Sequence, residues 1–158
     1  HPDISLTVKK QMIQSIFIQT LCYQYQTWPL KKAHTQKITT CEMRCLRKIT
    51  NNTRIDRIPN DKIREQVGIS PCLEYIYEQQ MKWYGHLVRM NPDQITSRAF
   101  YLRTSGQRAI GRPRKRWIDR IKEICNNQNI TILTVTRQAQ ERKYIYYKKR
   151  LTTNHLHL

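Results

Sequence analysis

Any chemistry in this chain would have to come from a few acids, thiols and imidazoles or from a large surplus of cations. The carboxylates Asp56, Asp61, Glu65, Glu74, Glu78, Asp93, Asp119 and Glu123 stand singly along the sequence. Two-metal chemistry needs clustered carboxylates to hold its cations about 4 Å apart. Most of these acids instead have a Lys or Arg three or four residues away, the spacing of surface pairs on a helix. The cysteines, Cys22, Cys41, Cys45, Cys72 and Cys125, contain no C-x-x-C pair. Cys41 and Cys45 could meet a metal with His34 or His86, but small buried thiols in a reducing compartment suit the irregular spacing better. His86 is read as a packing histidine rather than a base, and His155-x-His157 as part of a loose tail. No Gly-rich phosphate loop with its lysine, no G-x-S-x-G and no H-E-x-x-H occurs. No catalytic residue, metal ligand or cofactor site is assigned to this segment.

The cations tell more. The chain carries 29 Lys+Arg against 11 Asp+Glu, a formal net charge of +18. Self-repulsion on that scale asks for a polyanionic partner, and nucleic acid is the leading one. The charge is also gathered: residues 103–122 hold eight basic groups against Asp119 alone, and residues 137–150 hold six against Glu141. The densest stretch is Gly111-Arg112-Pro113-Arg114-Lys115-Arg116-Trp117, which runs into Ile118, Ile121, Ile124 and Cys125 at helical spacing. The favoured reading is a backbone clamp in which Arg112, Arg114, Lys115, Arg116 and Arg120 meet phosphates without reading sequence, extended by Arg103, Arg108 and Lys122. Gly111-Arg112-Pro113 also resembles the core of an AT-hook, whose arginines lie in a narrow minor groove. A solvated basic helix start is the third reading. Near the C-terminus, Tyr144 and Tyr147 are candidates for base stacking, with Lys148, Lys149 and Arg150 beside them.

The elements that must position these residues are helical, and the predicted fold class is mainly α: a small multi-helix domain with a basic loop and a disordered C-terminal tail. Residues 5–23 place Leu6, Met12, Ile13, Ile16, Phe17 and Leu21 on a helical stripe that breaks in an aromatic turn before Trp28-Pro29. A helix over 31–50 has Ile38, Cys41, Cys45, Leu46 and Ile49 inward and a cover of Lys and Arg. A short helix at 60–67 is capped by Asn60 or Asp61 and closed by Gly68. Ser70-Pro71 opens a long helix over 71–90 with Leu73, Ile76, Tyr77, Tyr84, Leu87 and Val88 inward. Gly85 within it predicts the close approach of another backbone. A short helix lies near 94–102, a basic loop over 103–112, a basic helix over 113–126 with Pro113 in its first turn, and a last helix over about 134–150. That last helix has Val135, Ala139, Arg142, Ile145 and Tyr146 on one side. Residues 152–158 are predicted disordered. Trp28, Trp83, Gly85 and Trp117 are read as structural. No apolar run approaches the roughly 18 residues a membrane span requires.

With these residues placed, the chain resembles the C-terminal region of LINE-type (non-LTR) retrotransposon endonuclease–reverse transcriptases. Four blocks carry the resemblance in order. Leu21-Cys-Tyr-Gln-Tyr-Gln-Thr-Trp28 is similar to the family's L-x-Y-G-x-E-T-W, and Glu42-Met-Arg-Cys-Leu-Arg-Lys-Ile49 to E-M-R-C-L-R-R-I. Trp83-Tyr-Gly-His-Leu-Val-Arg-Met90 is similar to W-F-G-H-V-x-R-M, and Gly111 to Trp117 to G-R-P-R-K-R-W. The chain departs at Gln24, where the family has glycine; at Gln26, where it has glutamate; and at Cys41, where it often has phenylalanine. Glu141-Arg142 with Tyr144 replaces a D-R-x-x-W. The resemblance implies a parent RNA-directed DNA polymerase using Mg2+, whose paired active-site aspartates lie upstream and are absent here.

The expected function is therefore a non-catalytic, nucleic-acid-binding segment that holds RNA or DNA by its backbone, with the upstream polymerase domains as further partners and no membrane. Residues 1–30 would end a thumb-like region, 31–151 would form the helical nucleic-acid-binding domain, and 152–158 the tail. The start at His1, with neither initiator Met nor signal pattern, reads as the inside of a longer chain in an intracellular, nuclear or cytoplasmic, setting. A free-standing basic DNA-binding protein and an inactive structural remnant of a decayed element are the alternatives.

Overall fold

The structure, a computed structural model, describes residues 4–102, 111 and 115–141. These residues are helical, with no strand among them. The chain divides into two compact units, His1–Gln80 and Met81–Leu158.

The first unit opens with a helix in three pieces: α1 (Leu6–Met12), a π-helical turn (Ile13–Phe17) and α2 (Ile18–Leu21). The π turn has a physical reason. Ile13, Ile18 and Cys22 are the buried residues here, and the first step between them is five residues, not the three or four of a regular helix. Lengthening one turn, so that the Ile18 N–H reaches the Ile13 carbonyl, brings all three to the core side. The predicted stripe is corrected accordingly: Leu6, Met12 and Ile16 lie exposed. Met12 and Ile16 line, with Phe17 and Ile49, an open apolar hollow of about 730 Å³. A 3-10 turn (Tyr25–Thr27) follows as the predicted aromatic turn, entered through Gln24 at φ 63°.

Helix α3 (Lys32–Ile49) buries Ile38, Glu42, Met43 and Leu46. The predicted inner stripe thus sits off by a residue. Cys41 is exposed and Cys45 and Ile49 are half-buried, because the inner place between Ile38 and Leu46 belongs to a carboxylate. Glu42 accepts from Arg64 at 2.9 and 3.3 Å and from the backbone N–H of Cys72 at 3.0 Å. Helix α4 (Asn60–Val67) carries Arg64. Pro59 occupies its N-cap position, and the Asn60 side chain accepts from Arg47 on α3 instead of capping, which corrects the predicted cap. Its end is as predicted. Gly68 takes φ 71° and donates to the carbonyls of Arg64 and Glu65, while the Ile69 N–H also reaches Arg64. A Cβ at Gly68 would meet only the movable end of Lys10, so what favours glycine there is the left-handed φ itself.

Helix α5 (Cys72–Arg89) begins just after Ser70-Pro71, and buries Ile76, Tyr84 and Leu87 as predicted, together with Cys72, Gln80, Met81 and Gly85. Leu73, Tyr77 and Val88 are half-buried. Gln80 fixes the aromatic turn, because its side-chain amide donates to the carbonyls of Tyr25 and Trp28. In the second unit, α6 (Ile95–Tyr101) matches the helix predicted near 94–102. Helix α7 (Trp117–Asn127) starts later than the predicted 113, with Lys115 and Arg116 non-helical before it, and Pro113 lies outside the described residues. Its predicted stripe holds: Ile121, Ile124 and Cys125 are buried, and Trp117 and Ile118 half-buried. Helix α8 (Ile132–Gln140) begins two residues earlier than predicted because the Thr131 hydroxyl caps it, and it buries Val135 and Ala139. The later part of the predicted last helix, with Arg142, Ile145 and Tyr146, the loop residues 103–110 and the tail 152–158 lie outside the described residues.

Removing one partner of a buried ion pair strands the other, at a cost of about 3–5 kcal/mol. Glu42→Ala is expected to lose that much in urea denaturation followed by circular dichroism. Glu65→Ala, which removes only the exposed pair with Lys62, is expected to stay within about 0.5 kcal/mol of the parent.

Candidate nucleic-acid interface

Helix α7 is held to its unit by its first residue. The Trp117 ring lies 6.4 Å from that of Tyr84 on α5 and 6.1 Å, edge to face, from Phe100 on α6. Tyr84 and Phe100 also meet edge to face at 6.3 Å, closing an aromatic triangle within the range where such pairs attract. The Tyr84 hydroxyl is 2.7 Å from that of Thr136 on α8. Burial pushes the Tyr84 phenol and the Cys125 thiol upward, so both stay neutral near pH 7.

Immediately before Trp117 the chain presents Lys115 and Arg116, both exposed. Cations at a helix N-terminus face the positive end of its dipole, and two acids offset this. Asp119 accepts the backbone N–H of Arg116 at 2.9 Å, the carboxylate half of a capping box. Glu123, one turn further on, takes Lys115 at 2.5 Å and Arg120 at 2.9 Å. The hydrogen bond from Lys115, with that from Arg120 and both charges, holds the Glu123 carboxyl below its ordinary range. Of the predicted phosphate contacts, then, Arg116 and Lys122 face solvent, while Lys115 and Arg120 are engaged by Glu123, and the Arg120 side chain keeps only 13% of its surface. Arg103, Arg108, Arg112, Arg114, Lys148, Lys149, Arg150, Tyr144 and Tyr147 lie outside the described residues.

The residues read as structural behave differently from one another. Gly85 is buried, and Trp83 is half-buried with its ring 5.3 Å from that of His86. His86 thus packs on Trp83, as a packing histidine would, but from an exposed position. Trp28 leaves 54% of its surface exposed and meets Tyr25 edge to face at 5.5 Å; what is fixed there is its carbonyl, by Gln80. No group of three or more His, Cys, Asp or Glu is placed to hold a metal among the described residues. Nor is any helix among them long and apolar enough to cross a membrane.

A second cationic concavity lies in the first unit and was not predicted. It has a volume of about 420 Å³ and is lined by Arg44, Arg47 and Lys48 of α3 and by Asn52, Thr53 and Arg54 of the loop that follows, among others. The sequence reads those α3 cations as a solvated cover. The overlooked signal is the spacing 44, 47, 48, which puts three cations on one helix face, followed at once by a polar turn of Asn and Thr.

Comparison of the chain with family models, curated proteins and solved structures returns no match in any of the three.

Because the folded-state pKa of Glu123 is depressed, its contribution to stability is present above the ordinary carboxyl value of about 4.3 and is lost as pH falls through the lower folded value. The melting temperature of Glu123→Gln should lie below that of the parent at pH 7. The gap should narrow as pH falls below about 4, measured by thermal scans at constant ionic strength.

Proposed function

We propose that this chain is a non-catalytic segment of a non-LTR retrotransposon reverse transcriptase that holds RNA or DNA by its phosphate backbone. The observation that carries the reading is the anchorage of Trp117. The basic block Gly111–Trp117 ends in an indole seated on Tyr84 and Phe100, so Arg116 projects into solvent from a fixed base rather than from a free tail. A cation cluster at the positive end of a helix is a favourable place for phosphate oxygens. The net charge of +18 supplies the field that brings a polyanion to it.

Two positions in the similar blocks support the parentage. Gln24 stands where the family has glycine and adopts φ 63°, the left-handed conformation that glycine takes without steric cost. Glu42, first residue of the second block, is the acid buried against Arg64 and the Cys72 N–H, a role a surface residue would not have. The segment works as a grip, with the polymerase chemistry assigned to upstream domains and their Mg2+.

If about six cations engage a duplex, log K should fall against log salt with a slope near −5. Fluorescence anisotropy of a labelled duplex and of a labelled RNA hairpin, from about 50 to 200 mM salt, tests this. Arg112→Ala/Arg114→Ala/Arg116→Ala is expected to weaken binding and to flatten the slope by about 2 to 3. Unchanged binding would refute the grip, and a strong preference for A·T-rich over G·C-rich duplex would replace it with minor-groove recognition.

A further inference from the structure

We infer that the cleft between the C-terminal half of α3 and the loop after it is a second site for backbone phosphate, separate from the start of α7. Its walls are built, not incidental. One wall is a helix face carrying Arg44, Arg47 and Lys48. The other is the chain from Asn52 to Asn60, folded back on α3 and held there at several points. The Asn52 N–H reaches the Arg47 carbonyl at 3.0 Å, and its side chain reaches Thr50 at 2.9 Å. Arg47 Nη2 bridges to the Ile58 carbonyl at 3.2 Å and to Asn60 Oδ1 at 2.8 Å. Arg57 takes left-handed backbone at φ 52°, uncommon for its residue type, and Asn51, a type that tolerates it, does so at 54°.

What this fold-back achieves is to set Arg54 across from Arg44 and Lys48. None of the three has a carboxylate within ion-pair distance among the described residues, and no acid lines the cleft. The nearby Asp56 is turned to Thr53, accepting its N–H at 2.6 Å and its hydroxyl at 2.9 Å. Those bonds keep Asp56 ionised below the usual carboxyl range. Arg47 Nε is buried without a partner among the described residues, an orphan donor on the cleft's own arginine. Like charges gathered around a hollow repel one another, and an anion seated between them relieves that repulsion.

The lining also says which anion. About 420 Å³ is within the range of ligand sites and exceeds what one small inorganic ion needs. Guanidinium groups, hydroxyls and amides suit phosphate and sugar oxygens. No aromatic side chain lines the cleft, so there is no platform on which a base could stack. The ligand class is therefore the sugar–phosphate backbone of a nucleic-acid strand, taken without regard to base. This deepens the proposed grip and rests on it for the polymer, but not for the phosphate.

Two experiments on the full chain separate the two. In the first, sodium pyrophosphate is titrated into 15N-labelled protein. Amide shifts concentrated at residues 39–48 and 52–54 are expected, and shifts spread evenly over the basic residues would overturn the site. In the second, anisotropy of a labelled 20-nucleotide strand compares Arg44→Ala/Arg54→Ala with the charge-matched Lys32→Ala/Lys37→Ala, all four positions being exposed. The cleft variant is expected to bind about tenfold more weakly, with a salt slope flatter by about 1.5, and the control to change by less than about threefold. Equal losses in the two variants would overturn the cleft as a site. Loss only in the α7 variant would overturn it while leaving the proposed grip standing. Pyrophosphate shifts in the cleft without any strand binding would refute the grip and keep the phosphate site. Homopolymer strands of different base should bind the cleft equally, and loss of binding to one base alone would contradict backbone recognition.

Discussion

One carboxylate holds the first unit in register. Glu42 is the only acid on α3, in a chain where cations outnumber acids 29 to 11, and it is turned inward. It joins α3 to α4 through Arg64 and to the start of α5 through the Cys72 N–H. Burial by itself would lower the Arg64 pKa, but the hydrogen bond and charge of Glu42, with Asp61, carry it above the ordinary value, so the pair stays ionised. Beside it the Cys72 thiol is pushed up by the neighbouring Cys22 thiol, by burial and by the Glu42 charge, and stays a neutral, inert packing group. Three helices meet around this charge, so the outward face of α3 inherits its orientation from an interaction on the inward face.

The scarcity of acids gives them a shared pattern. Glu42 serves the core, Asp61 supports Arg64, Asp119 closes the first turn of α7, and Glu123 gathers Lys115 and Arg120. These four acids sit where cations crowd the helices, and the other seven leave the cations far in excess. The remaining positive charge is arranged in two ways. At α7 it sits on a helix whose first residue is wedged among aromatic rings. At α3 it is drawn around a hollow by a loop with two left-handed residues. Among the described residues, both arrangements bring guanidinium and ammonium groups together, the chemistry that pairs with oxyanions.

Much of this was legible in the sequence. Ile121, Ile124 and Cys125 follow a plain helical period and are buried, Gly68 ends α4 as a left-handed glycine should, and Trp117 is an anchor. What was hidden depends on partners far along the chain. Nothing local singles out Glu42, because its cation is Arg64, 22 residues away, and not a neighbour at helical spacing. That displaced the predicted inner face of α3 toward Cys41. Asn60 looked like a cap, but Arg47 claims its oxygen. The cleft was missed for the same reason: Arg54 joins Arg44 and Lys48 only after the loop has turned back, and no periodicity encodes a return.

The π turn at Ile13–Phe17 carries a consequence for how this sequence can drift. A widened turn in a helix is a residue held in surplus. Excising one amino acid there would let the segment relax into regular winding with Ile13 and Ile18 still one turn apart on the same face, whereas the same excision from a regular turn would swing everything upstream by roughly 100° about the axis at 3.6 residues per turn. The exposed Leu6 and Met12 would keep their side of the rod. The widened turn thus buffers a change of length at this point, so that the residues the first helix shows to a neighbour, α2 and the core behind it all keep their places.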